Sequence, residues 1–314
     1  MLSLGRAGGG NLGFALDFRL SVSVSKAQKS RYEVLHSTGR NETEGLLEYI
    51  DWVWASKMTS SYRHHIVVSN LPPPHSGFGS SASLQIAVLA GLNWLYGLPL
   101  SKAQLRQLAL DHYREGSDGK IIPAFTTGLA SLLSLQGGFG LISPSGLNFF
   151  RFSSAPFNFL AAMPTHPRIR GLPAEIEQNL TFGEGRAREL RDLRLKTNIL
   201  LSRIIPAVRA GDLDRIGSAV RLLQSLGSKR AEIELCGGKA IYHAIDTIRS
   251  CGIQCVFMSA GGPSLVMISN LSAQEIQEAS RSAGCEPMFS GVIDNTGIVI
   301  NGACWVEQAC GELA

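Results

Sequence analysis

Apolar and polar positions alternate at the end of "LGFALDFRLSVSV", residues 12–24, and this period of two predicts a strand. "HHIVVSN" at 64–70 predicts a second, shorter one. The pattern then changes. From Ser81, "SASLQIAVLAGLNWLYG" repeats apolar residues at helical spacing until Gly97 and Pro99 stop it. "SKAQLRQLALDHYRE" follows as an amphipathic helix with Ser101 placed to cap it. Residues 116–147 are rich in Gly, Ser and Thr. They predict a loop, a short helix over 128–136, and a Gly137-Gly138 turn into a strand at 138–143. Residues 149–163 read as a strand pair, 184–227 as long helices with Asp212 at a cap position, and 231–250 as a further helix. "CVFMSAGGPSLVMIS" at 255–269 reads as strand, Gly-rich turn, strand, and 271–301 as helix then strand. There is no convincing internal repeat. The length suggests two domains or one large one; the first half mixes strands and helices with two Gly-rich loops, and the second reads as a βα sandwich-like unit with one more.

Composition narrows the function classes. Hydrophobic residues are 45% and charged residues 17% of the 314, which builds a packed core and argues against wholesale disorder. A net charge of +4 suits an anionic small ligand and falls short of a nucleic-acid footprint. Lys and Arg are dispersed except in "RARELRDLRLK" (186–196), whose interleaved signs read as a solvated helix face. No run of about 18 apolar residues predicts a membrane span, and no apolar h-region predicts a signal peptide. The six Cys show neither CxxC pairs nor a framework spacing, so reduced thiols in a cytoplasmic protein are expected.

Three small-residue stretches carry the candidate chemistry. "HSGFGSSAS" (75–83) joins a strand to a helix. Gly77 and Gly79 let a backbone approach a ligand, the helix start favours a phosphate, and Ser80, Ser81 and Ser83 add hydroxyls. It is neither a Walker A loop nor a dinucleotide fingerprint, and taken alone such a turn is more often structural. "TTGLASLLSLQGGFG" (126–140) includes Thr127 and Gly128; capping by Thr126 or Thr127 plus a turn explains most of it. "SAGGPS" (259–264), with Gly261, Gly262 and Ser264, reads alone as a strand-to-strand turn.

Their order resembles the GHMP superfamily, mostly small-molecule kinases. The family's central Pro…Gly-Leu-Gly-Ser-Ser-Ala stands here as Pro74 to Ala82, with Phe78 for the Leu, and "MSAGGPS" (258–264) resembles its C-terminal glycine motif. The resemblance implies an α+β fold of two domains, 1–150 like ribosomal protein S5 with the phosphate-binding glycine loop, and 151–314 ferredoxin-like. Many family kinases place an Asp in the segment matched by Thr127-Gly128-Leu129-Ala130. Alanine at 130 can neither act as a base nor bind Mg²⁺, although homoserine kinases also lack that Asp.

A closer likeness is to a non-kinase branch, β-ribofuranosylaminobenzene 5′-phosphate synthase of methanopterin biosynthesis. It rests on "GRAGGGNLGFALD" (5–17), on His75 ahead of the loop, on the Asp-less "TTGLASLLSLQGGF", on "AGDLDRIGSAVRLLQSLG" (210–227), and on "GGKAIYHAIDTIRSCG" leading to Gly-Pro-Ser. The chain departs from that branch at Gly79-Ser80-Ser81-Ala82-Ser83, which has the kinase-like form, at the missing Trp before Gly262, and in lacking its opening Arg-Leu-His strand. The resemblance implies condensation of 5-phosphoribosyl 1-diphosphate with a p-aminobenzoate or hydroxybenzoate type of acid, releasing CO₂ and pyrophosphate, with Mg²⁺ as cofactor. An ATP-dependent small-molecule kinase is the alternative, and a non-catalytic ligand-binding relative, which the altered third motif permits, is a third. The partners implied are the phosphorylated donor and an aromatic acid, with neither nucleic acid nor membrane; a homodimer is compatible.

Single residues carry less. His75 is the catalytic candidate, as a phosphate contact or an acid; a surface loop His is the competing reading. Asp17 reads as a strand-end residue or a metal ligand, Arg6 as an anion contact or a solvated terminus, Asp118 as a turn residue, and Lys120 as a candidate phosphate contact. His64 and His65 point to opposite faces of a strand and do not share a metal. Tyr242 reads as packing and His243 as surface.

Overall fold

The structure is a computed structural model that describes all residues except 1–10, 36–39, 59–62, 74–75, 118–119, 125, 143–148, 154, 156, 166–182 and 305–314. Its elements in chain order are β1 (Asn11–Phe14), β2 (Ser21–Lys26), β3 (Arg31–Val34), α1 (Arg40–Lys57), β4 (His64–Ser69), α2 (Ser80–Leu95), α3 (Lys102–Asp111), β5 (Arg114–Ser117), β6 (Lys120–Pro123), α4 (Leu129–Gln136), β7 (Phe139–Ile142), β8 (Phe149–Phe152) and β9 (Asn158–Pro164). Then come α5 (Glu184–Ile199), a π-helical turn (Leu200–Ile204), α6 (Ile205–Ala210), α7 (Leu213–Gln224), α8 (Gly227–Cys236), α9 (Lys239–Ser250), β10 (Cys255–Met258), β11 (Leu265–Ser269), α10 (Ala273–Ser282), β12 (Cys285–Val292), β13 (Val299–Ile300) and β14 (Ala303–Cys304). The α+β reading holds.

Contacts divide the chain into two compact units: Met1–Arg19 with Pro72–Ser80 and Gly138–Asn295, and Leu20–Leu71 with Ser81–Gly137 and Thr296–Ala314. These units interleave along the chain and do not follow a single boundary at residue 150.

The first unit is built on an antiparallel sheet ordered β10-β11-β9-β12. Alternate residues go to opposite faces. Phe159, Ala161, Phe257, Val266 and Ile268 pack with Ile216, Val220 and Leu223 of α7 and with Leu200 and Ile204 of the π turn. Leu160, Ala162, Val256, Met258, Leu265 and Met267 pack with Ile233, Ile241, Ile245, Ile248 and Ile276 of α8, α9 and α10. Both faces are buried, so "CVFM" and the "LVMI" of β11 are apolar without a break. A second sheet, β1-β7-β8, adds Phe14, Phe139 and Leu141 to the first cluster. Gly217 lets α7 close onto the start of β10, because a Cβ there would collide with the Gln254 carbonyl.

In the second unit β4 is central, antiparallel to β2 and parallel to β3. Its alternation sends His64, Ile66 and Val68 inward, against Leu47, Ile50 and Trp54 of α1 and Leu84, Val88 and Leu92 of α2. His64, fully buried, pairs through Nδ1 with Asp51 of α1. Asp51 also accepts from Tyr32 Oη at 2.9 Å and Ser30 Oγ at 3.4 Å, and His64 Nε2 lies 2.9 Å from Tyr96 Oη. These partners make a buried carboxylate tolerable. Burial first, and the adjacent Asp51 charge, push the Tyr32 phenol well above its ordinary range.

Four expectations change. Residues 12–24 form two strands, β1 and β2, in different units. Between them the Ala15 and Asp17 N–H groups go to the carbonyls of Gly138 and Val292. The predicted loop at 116–123 is largely the β5–β6 hairpin, joined through 118–119, which are Asp-Gly in the sequence. Helix α1, absent from the elements expected above, has Leu46, Leu47, Ile50, Val53 and Trp54 at helical spacing. And "RARELRDLRLK" is not simply a solvated face: Glu189 and Lys196 are 0% and 1% exposed and pair with each other. The caps at Ser101 and Asp212 are as expected, Ser101 with Gln104 completing a capping box.

Candidate phosphate-binding site

Two of the three small-residue stretches meet in the first unit. The 259–264 turn joins β10 to β11 and is closed by the Ser259 N–H donating to the Ser264 carbonyl at 2.8 Å. Residues 76–79 lie against it, backbone to backbone. A Cβ on Gly77 would sit 2.5 Å from the Ala260 oxygen, and one on Gly262 would sit 2.6 Å from the Ser76 carbonyl carbon and 2.8 Å from the Gly77 nitrogen. Gly77 and Gly262 are therefore needed for loop-on-loop packing, whatever else they do. Ser259 Oγ donates to the Gly77 carbonyl at 2.7 Å, and Ser76 Oγ to the Pro73 carbonyl at 2.5 Å. Phe78 anchors the loop in the core, edge-on to Phe289 with ring centroids 4.8 Å apart. Gly79 and Gly261 have φ of +67° and +66°, the left-handed region that favours glycine. Ser80 opens α2, whose first-turn N–H groups have no helical acceptor.

Beneath the turn lies a polar support. β10 is an edge strand, and Gln224 at the end of α7 satisfies Met258: Nε2 donates to its carbonyl at 3.0 Å, and Oε1 accepts its N–H at 3.3 Å. Lys229 of α8, 0% exposed, donates from Nζ to Glu232 at 2.6 Å and to the Ser259 carbonyl at 2.7 Å. The start of α8 is itself held. Asp192 accepts the Gly227 N–H at 2.8 Å, and Glu189 accepts the Ser228 N–H and hydroxyl at 3.0 Å each. Burial pushes the nearby Cys236 thiol up to about 11, opposed by the Lys229 charge. None of Gln224, Lys229, Glu232, Ser259 or Glu189 was singled out from the sequence. Lys229 could have been: it shares the helical stripe of Ile233 and Cys236, where a charge is out of place.

The second unit holds the other candidates. Ser81 is half-buried on α2. Ser83 Oγ is 3.0 Å from Ser134 Oγ of α4. Thr126 Oγ1 accepts the Gly128 N–H at 3.1 Å and Thr127 Oγ1 the Leu129 N–H at 3.5 Å, so the threonines support the start of α4 while Gly128, at φ +74°, occupies the cap position. Ala130 is buried. Ser264, in the first unit, is fully buried with its hydroxyl toward the sulfurs of Met163 and Met288.

His75, Arg6 and Asp118 lie outside the described residues. Asp17 pairs with Arg19 at 3.1 Å, and Arg19 reaches Asp294 at 2.9 Å. Lys120 is exposed on β6; His65 pairs with Glu33 at 3.0 Å; Tyr242 is half-buried and His243 exposed. Among the described residues no group of three His, Cys, Asp or Glu could hold a metal, and no helix is long and apolar enough to cross a membrane.

Comparison with known proteins adds the family. Residues 48–128 match the GHMP kinases N terminal domain. The fold is that of GHMP kinases along nearly all its length. L. major mevalonate kinase is similar with a TM-score of 0.71 over 95% of this chain and 94% of that one, at 16% identity. Homoserine kinase from Cytophaga hutchinsonii gives 0.65 over 91% and 90%, also at 16%. By sequence this GHMP-fold chain is 28% identical to the beta-ribofuranosylphenol 5'-phosphate synthase of Archaeoglobus fulgidus and 27% identical to that of Methanothermobacter thermautotrophicus. The two matches cover 66% and 67% of this chain and 65% of each synthase, just under two thirds of their length. A Prochlorococcus marinus homoserine kinase is 32% identical over 126 residues, 38% of this chain and 39% of the kinase.

Proposed function

We propose that this GHMP-fold chain is a synthase of the β-ribofuranosylaminobenzene 5′-phosphate type, acting in methanopterin biosynthesis. In this reading it joins 5-phosphoribosyl 1-diphosphate to a p-aminobenzoate or hydroxybenzoate type of acid. The ring carbon bearing the carboxylate bonds to the anomeric carbon, diphosphate departs with the C–O electron pair, and CO₂ departs leaving its C–C pair to the ring. The observation that carries the reading is the likeness to two beta-ribofuranosylphenol 5'-phosphate synthases across two thirds of the chain. Ala130, buried where many family kinases have an Asp, supports it, since it supplies no base for activating a hydroxyl. The paired loops at 76–80 and 259–264 give the donor's diphosphate backbone N–H groups and a helix start. Mg²⁺ enters as the diphosphate complex, since this ion is commonly held by substrate phosphates and water with one or two carboxylates.

A second reading is an ATP-dependent small-molecule kinase. It is favoured by the kinase-like Gly79-Ser80-Ser81-Ala82 and by the homoserine kinase match. Thermal melts separate the two. Stabilisation by phosphoribosyl diphosphate with Mg²⁺, and none by ATP, is the expected result. Stabilisation by ATP together with ADP formation, and none by phosphoribosyl diphosphate, overturns the synthase reading in favour of the kinase.

A further inference from the structure

We infer that Lys229 is a positioning residue: through Ser259 it fixes both glycine loops and aims two backbone N–H donors at the bound diphosphate. The inference rests on the phosphate-site reading above. A buried ammonium–carboxylate pair is weak as a source of stability, and hydrophobic replacements of such pairs are often neutral or better. The Lys229–Glu232 pair therefore calls for a use of its own, and the contacts supply one. Lys229 Nζ holds the Ser259 carbonyl, Ser259 Oγ holds the Gly77 carbonyl, and Gln224 holds Met258 one residue earlier. The Lys229 end is in turn set by Glu189 and Asp192, which accept the first N–H groups of α8.

Peptide planarity converts these carbonyl contacts into donor orientation. The structure has no cis peptide bonds among the described residues. In a trans peptide the N–H points opposite to the C=O. With the Gly77 carbonyl drawn to Ser259, the Phe78 N–H points away from Ser259. With the Ser259 carbonyl drawn to Lys229, the Ala260 N–H points away from Lys229. Among the described residues neither N–H has a hydrogen-bond acceptor. Phe78 and Ala260 are buried residues, 7% and 5% exposed, and backbone donors left without a protein acceptor on two touching loops invite an anionic ligand. The relay from Lys229 to Gly77 keeps both oriented before the anion arrives.

The test uses the intact chain and inorganic diphosphate. The double variant Lys229→Met/Glu232→Leu removes both charges together, and Ser259→Ala breaks the relay at its middle with little change of volume. Diphosphate affinity is read by calorimetry, and amide exchange is compared between peptides spanning 76–80 and 259–264 and those of β9 and β11. Losing a hydrogen bond to a charged group predicts about tenfold weaker diphosphate binding. It also predicts faster exchange confined to the two loops, in both variants. Wild-type affinity in both variants, or exchange that rises equally throughout the unit, assigns Lys229 a purely structural role and overturns the inference. If the wild-type chain binds no diphosphate, the phosphate-site reading falls. Exchange then decides the relay by itself: loop-confined acceleration upholds it, and unchanged loops overturn it.

Discussion

Alanine at position 262 would put a methyl group into the backbone of the neighbouring loop. Its carbon would lie 2.6 Å from the Ser76 carbonyl carbon, 2.7 Å from that oxygen and 2.8 Å from the Gly77 nitrogen. Comfortable carbon contacts begin at about 3.5 Å, so the loops must part by most of an ångström. The Ser259 hydroxyl contact to Gly77, now 2.7 Å, would then pass out of hydrogen-bonding range. Overpacking of this kind costs about 1–3 kcal/mol. At roughly 2–4 °C per kcal/mol for a unit of this size, the melting temperature should fall by about 2–12 °C. Gly252→Ala serves as the comparison: its φ of +90° is strained for alanine, yet nothing lies within 4 Å of the new Cβ. That strain should cost about 1–2 kcal/mol. Urea melts and diphosphate titrations on both variants separate packing from site. Both should lose stability, and only Gly262→Ala should lose diphosphate affinity. A Gly262→Ala protein with wild-type melt and affinity, or a Gly252→Ala protein losing as much affinity, refutes the loop-on-loop argument.

Further outcomes are expected elsewhere. Asp51→Ala leaves His64, Tyr32 and Ser30 without their shared acceptor and should cost about 3–5 kcal/mol in urea unfolding; a loss under 1 kcal/mol (~) contradicts the buried network. Burial pushes the Cys255 thiol up to about 12 and those of Cys236 and Cys285 up to about 11. Raised values keep these three protonated and unreactive at mildly alkaline pH, so of the four cysteines 236, 251, 255 and 285 only exposed Cys251 should be alkylated by iodoacetamide in the native state. Peptide mapping that finds Cys255 modified speaks against that burial. Ser101→Ala removes the capping box of α3 and should cost about 1 kcal/mol, read as a shift of the urea midpoint.

Much of the fold was legible because period and composition agree with packing. The β10–turn–β11 hairpin, α4 and the caps at Ser101 and Asp212 follow from local pattern alone. Helix α1 and the β5–β6 hairpin were equally available, through the spacing of Leu46, Leu47, Ile50 and Trp54 and through Asp118-Gly119. The split of 12–24 was not, since the acceptors that part it, Gly138 and Val292, lie far along the chain. At the site, the glycines were visible as small residues, but not that Gly77 faces the Ala260 backbone and Gly262 that of Ser76 and Gly77. Residues 185 positions apart carry no local signal of contact. The stretch "RARELRDLRLK" shows the same limit. Glu189 and Lys196 look solvated by charge pattern, and only the partner helix α8 explains their burial.

On the proposed function, these loops hold the phosphate of a phosphoribosyl donor. The most direct measurement incubates the protein with phosphoribosyl diphosphate, Mg²⁺ and carboxyl-labelled p-aminobenzoate or 4-hydroxybenzoate, and counts labelled CO₂ against diphosphate released. Equimolar CO₂ and diphosphate, dependent on both substrates, is the predicted result. No CO₂ from any benzoate, with ATP turned over to ADP in the presence of a small hydroxylated acceptor, would contradict it.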